Sequence, residues 1–122
     1  MIKDLDFSNE TVNDTQKKIV AVATNSAKYG ISARSGYCQA WVADVYQAVT
    51  GSRGSAHCAL CAADMWAVSS DWSKIPVGAA IYGYSSSKYG HVGIYIGNGM
   101  VAHNIGEIKI QSLESWVKTY KG

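Results

Sequence analysis

A single change of hydrophobic period, at the chain's one proline, Pro76, limits what this sequence can fold into. Before it, apolar residues recur at helical spacing; after it, they alternate with polar residues or glycine at the period of two that strands use. Residues 10 to 28 read as a helix with Asn13 or Asp14 near its start, Ile19, Val20, Val22 and Ala23 buried, and Tyr29-Gly30 as its end. A second helix, from Cys38 to about Val49, places Cys38, Trp41, Val42, Val45 and Val49 on one face, with Ser35-Gly36 before it and Gly51 to end it. Ser55 is placed to cap a third, Ala-rich helix from His57 to about Val68. Strands are expected over residues 77 to 84, 91 to 96, 100 to 105 and 107 to 111, and a closing helix with Trp116 buried over 112 to 120. Helices followed by an antiparallel meander argue for an α+β fold, with N-terminal helices packed on a small antiparallel sheet.

The 122 residues suit one domain with one core, spanning 1 to 122. Hydrophobic residues make up 48% and charged ones 16%, which excludes a disordered chain, and a net charge of +2 with no basic run offers nothing to nucleic-acid phosphates. The first six residues are too charged for a signal peptide, so the chain is expected to be made in the cytoplasm. No apolar stretch approaches the roughly 18 residues of a membrane span. Three cysteines, Cys38, Cys58 and Cys61, make a poor disulfide framework. Cys58 and Cys61 could form a redox pair, or with His57 suggest zinc, but no second ligand pair exists and helix packing explains them.

Cys38, in the first turn of its helix, meets the helix dipole and unsatisfied N–H groups. These favour a thiolate and can pull a thiol from about 8.5 to roughly 3.5–7.5. A nucleophilic thiol needs a base in reach and a third group to orient that base. His91 opens a strand after Gly90 and shares a face with Gly93 and Tyr95. What faces it depends on the turn. A two-residue Asn98-Gly99 turn pairs Gly93 with Asn104, and a three-residue Gly97-Asn98-Gly99 turn pairs it with His103. Tyr82, Tyr84, Tyr89 and Tyr95 could line a groove, though core packing suits Tyr82 and Tyr95 better.

Gly90-His91-Val92-Gly93-Ile94-Tyr95-Ile96-Gly97-Asn98-Gly99, with Val101-Ala102-His103 after it, resembles the catalytic hairpin of the NlpC-type cell-wall cysteine peptidases. These are papain-like folds with a cysteine at a helix start and a histidine on the sheet. Their third residue is often a histidine twelve positions after the first, as His103 is after His91. Pro76-Val77-Gly78 resembles the motif before the family's first strand. The resemblance covers residues 29 to 110 and implies Cys38 as nucleophile, His91 as general base and then acid, and His103 as the group that orients it. It also implies an oxyanion site formed by the Cys38 backbone N–H with Tyr29 and Tyr37. Tyr37-Cys38-Gln39-Ala40 departs from the Asp-Cys-Ser-Gly usual in the family, and Ala79 stands where an Asp is common. Gly36-Tyr37-Cys38-Gln39-Ala40-Trp41 is closer to the sister group of CHAP amidohydrolase/peptidases, whose third residue promotes Asn104 or Glu107.

The resemblance implies a peptidoglycan hydrolase that cuts a stem-peptide amide through a Cys-His-His triad, without metal or organic cofactor. A CHAP-type N-acetylmuramoyl-L-alanine amidase and a silent wall-peptide or protein-binding module are the alternatives. Such an enzyme would be exported, injected or phage-released, and an injected one would meet an immunity protein or inhibitor.

Overall fold

The computed structural model describes residues 12–32, 38–51, 75–83 and 90–120. Helix α1, Asp14–Thr24, begins with a reciprocal cap. Asn13 Oδ1 accepts from the Gln16 N–H at 2.9 Å and Gln16 Oε1 accepts from the Asn13 N–H at 2.7 Å. Such a cap stabilises a helix by about 1 kcal/mol. Gln16 Nε2 also donates to the Val77 carbonyl at 3.0 Å, which ties α1 to the segment before the sheet.

The single helix expected over residues 10 to 28 stops at Asn25. There the side-chain Nδ2 takes the Ala21 carbonyl at 3.2 Å, competing with the helical ladder, and the chain tightens into a 3₁₀ turn, Ser26–Tyr29. Helix α2, Cys38–Thr50, buries Trp41, Val42 and Val45 on the face its spacing predicts, and Gly51 follows at φ 84°. Trp41 Nε1 donates to Ser26 Oγ at 3.1 Å, which satisfies the buried indole and locks α2 to the 3₁₀ turn.

Four strands, β1 (Ala80–Gly83), β2 (His91–Gly97), β3 (Met100–Asn104) and β4 (Ile108–Ser112), form an antiparallel sheet in sequence order. The α+β class is therefore as expected. β1 starts later than residue 77 because Pro76-Val77-Gly78 makes a turn. The Ala79 N–H donates to the Pro76 carbonyl at 3.1 Å, and Gly78 takes φ 89°.

One sheet face, with Val92, Ile94 and Ala102, packs on Ile19, Val22, Trp41, Val42 and Val45 of α1 and α2. The opposite face, with Ile81, Tyr95 and Val101, lies under Leu113 and Trp116 of the closing helix α3, Leu113–Tyr120. Among the described residues the sheet is thus clad on both faces. Trp116 is fully buried, so Trp116→Ala is expected to cost about 3–5 kcal/mol, read as a lowered urea midpoint.

The β2–β3 hairpin settles the register. Asn98 at φ 53° and Gly99 at φ 71° form a two-residue turn closed by Gly97 opposite Met100. On its own that turn would continue to Gly93 opposite Asn104. A bulge between Tyr95 and Gly97 absorbs one residue, so Tyr95 faces Val101 and Ile94 faces Ala102. Continued by one step, that register brings His103 opposite Gly93. A Cβ on Gly93 would lie 2.8 Å from Val101 Cγ1 and 3.2 Å from His103 Cβ, so glycine is what lets His103 settle there.

Candidate active site

Two imidazoles form the centre of the site. His91 Nε2 lies 2.8 Å from His103 Nδ1, and His103 Nε2 lies 3.0 Å from Gln111 Oε1. Gln111 Nε2 in turn donates to Ser115 Oγ at 2.7 Å. Strand alternation explains the meeting, since His91, His103 and Gln111 all point to the α3 face: Val101 pairs with Gln111 and His103 with Lys109. Both imidazoles are buried, His103 almost completely.

Burial holds the pair neutral. It pushes His91 down to about 4, with the neighbouring His103 adding to the effect. Burial also lowers His103, opposed by its hydrogen bond to Gln111 and assisted by the Lys109 ammonium. The unfolded chain binds a proton at His91 below about 6.5, whereas the folded chain refuses it until about 4. Stability should accordingly fall as pH drops through that window and be fully present above it. Urea midpoints measured from neutral pH down to about 4 are expected to decline more in the wild type than in His91→Gln.

Cys38 is the first residue of α2 and is half-buried. Its thiol is affected by the backbone at Val92, Gln39 and Cys38 itself, all of which lower its pKa as N–H donors to a thiolate do. Desolvation outweighs them, and the thiol stands above its ordinary value. This corrects the expectation of a depressed thiol: the helix start is in place, but the apolar packing around the sulfur costs the anion more than the N–H groups return. Burial therefore favours the neutral form of the thiol as it does of the imidazoles.

Tyr120, at the end of α3, connects the two. Its ring stacks on His91 with centroids 4.3 Å apart and 23° between planes, and Cys38 contributes to raising its phenol, after burial. Trp116 adds a second ring 6.1 Å from His91 and stands edge-on to His103 at 6.4 Å. Sequence reasoning did not place Tyr120, Gln111 or Ser115 in the site. Their only signal is that they share the 112–120 segment and the strand before it, and which sheet face that segment covers is a tertiary property.

Asn104, the alternative third residue, is buried on the other side of β3, and its Oδ1 accepts from the Gly106 N–H at 2.9 Å to close the β3–β4 turn. For a hydrolase working through the His91–His103 pair, His103→Ala is expected to lower turnover by roughly 10²–10⁴-fold, and Asn104→Ala to cost about 1 kcal/mol of stability with turnover changed only a few-fold. Steady-state kinetics beside urea melts of the two variants checks this. Tyr29 is 43% exposed on the 3₁₀ turn, its ring facing the Lys18 ammonium at 5.9 Å, and nothing in those contacts ties it to the thiol. Glu107 is exposed in the β3–β4 turn. Tyr82 and Tyr95 pack in the two cores. Ser35, Gly36, Tyr37, Ser55, His57, Cys58, Cys61, Tyr84 and Tyr89, and the helix expected from residue 57, lie outside the described residues.

Among the described residues no group of His, Cys, Asp or Glu is arranged to hold a metal ion, and no helix is long and apolar enough to cross a membrane. No protein-family model matches the chain, and no curated protein matches it.

Proposed function

We propose that the chain is a papain-like cysteine hydrolase of the NlpC type, acting on the stem peptide of bacterial peptidoglycan as an endopeptidase. The observation that carries this reading is the 2.8 Å imidazole pair, His91 to His103, on the strand next to a helix-start thiol. A buried cysteine that only packs needs no base, and a buried histidine pair that only packs needs no thiol beside it.

In the proposed reaction His91 takes the Cys38 proton as the sulfur attacks the amide carbonyl. The backbone N–H of Cys38 is the donor for the resulting oxyanion. Imidazolium His91 then protonates the leaving amine, the C–N bond breaks, and a thioester on Cys38 remains. Water, deprotonated by His91, hydrolyses it and restores thiol and imidazole. A neutral resting pair makes His91 a general base rather than half of a standing ion pair. Export, injection or phage release would bring the enzyme to the wall, and no cofactor enters any step.

Digestion of purified sacculi by wild type and Cys38→Ser, with soluble products identified by mass spectrometry, tests the reading. New termini within the stem peptide are expected from wild type alone. Termini at the muramoyl–L-alanine bond would instead assign an amidase with the same machinery. Silence of both proteins on several wall types would point to a module that binds wall peptides or a protein without cutting.

A further inference from the structure

We propose that Gln111 is a positioning residue whose amide oxygen fixes the ring protons of both histidines and leaves His91 Nδ1 as an open lone pair for the Cys38 thiol. The role rests on the hydrolase reading above; the proton arrangement itself does not.

The chain of hydrogen bonds has one consistent direction. A carbonyl oxygen only accepts, so at 3.0 Å from Gln111 Oε1 the His103 Nε2 must carry hydrogen. Neutral His103 then has a bare Nδ1, and at 2.8 Å it accepts from His91 Nε2–H. Neutral His91 is left with its lone pair on Nδ1. Turning the Gln111 amide over reverses every step. Its NH₂ would donate to His103 Nε2, the proton of His103 would move to Nδ1 and point at His91 Nε2, and His91 would carry N–H at Nδ1, where no base remains.

In this orientation the amide is also bonded on its other side, its Nε2 donating to Ser115 Oγ at 2.7 Å. Ser115 itself is fixed in the first turn of α3, where its N–H donates to Ser112 Oγ at 3.1 Å. Among the described residues the other titratable groups around the histidines are Lys109 on β4, Tyr120 on α3 and Cys38 on α2, and the hydrogen bonds to the His103 ring nitrogens come from His91 and Gln111. Gln111 touches no reacting atom.

Nitrogen-15 spectra of the imidazoles at neutral pH, recorded on the full chain, read the tautomers directly. Wild type is expected to show both rings protonated at Nε2, and Gln111→Leu to show His103 redistributed between tautomers. With sacculi as substrate, Gln111→Leu should lose roughly 10- to 100-fold in kcat with KM unchanged. Gln111→Glu keeps an acceptor and should recover most of that loss, with the acid limb of its pH profile moved upward by the added carboxylate. His91 protonated at Nδ1 in wild type, or unchanged tautomers and kcat in Gln111→Leu, would overturn the proposal. Wild type with both rings protonated at Nε2 and no action on any wall substrate would sink the hydrolase reading while supporting the proton arrangement.

Discussion

On the proposed mechanism Cys38→Ala is expected to reduce release of soluble wall fragments by about 10⁴-fold or more, because removing the proposed covalent nucleophile removes the whole pathway rather than one contact. The fold should survive the change. Cys38 is half-buried at the first position of α2 and packs against the core, but the fully buried Trp41, Val42 and Val45 of the same helix anchor it there. Loss of one sulfur from a partly buried site costs about 1 kcal/mol at most, so circular dichroism and the urea midpoint should stay near wild type while turnover vanishes. A variant that kept a tenth of the activity would show that Cys38 only packs.

His91→Ala is expected to cost nearly as much, roughly 10³–10⁴-fold, since the thiol is raised by burial and holds its proton unless a base removes it. Among the described side chains His103 is the only other imidazole, and its two nitrogens are engaged by His91 at 2.8 Å and Gln111 at 3.0 Å. The double variant Cys38→Ala, His91→Ala should be no worse than either single one, as befits residues acting as one unit. The wild-type pH profile carries the same information. Activity needs neutral His91, so its acid limb should fall near about 4 rather than at the 6.5 of an ordinary imidazole, as kcat/KM measured against pH will show.

Much of this site was legible in the sequence, for particular reasons. Trp41, Val42 and Val45 announce the α2 face, and the glycine before and after the helix leaves Cys38 little choice of position. The alternation His91, Gly93, Tyr95 fixes which strand residues share a face. What period and composition could not decide was the register. Asn98-Gly99 does make the two-residue turn its residue types favour, yet the bulge at Tyr95–Gly97 moves the ladder by one and delivers His103 rather than Asn104. A bulge depends on both strands and leaves little trace in either.

The same limit applies to α3. Its amphipathic pattern marks Trp116 as buried, but only tertiary packing places Tyr120 over His91 and brings Gln111 and Ser115 into line. Asn25 and Cys38 fail in a related way. A side-chain hydrogen bond breaks the first helix where hydrophobic period says it continues, and desolvation reverses the thiol shift that the helix start alone would give. In both cases a local rule holds and a neighbouring interaction exceeds it.

The central claim is that Cys38 takes the acyl group as a thioester, and hydroxylamine tests it most directly. This amine intercepts thioesters, so digestion of sacculi in its presence should place a hydroxamate on the newly formed carboxyl end, in a proportion that rises with hydroxylamine concentration. Acid-quenched wild-type protein should carry the acyl group on Cys38, and Cys38→Ala should give neither product. New termini that are carboxylates at every hydroxylamine concentration, with unmodified protein throughout, would contradict the covalent mechanism and assign the cut to direct attack by water.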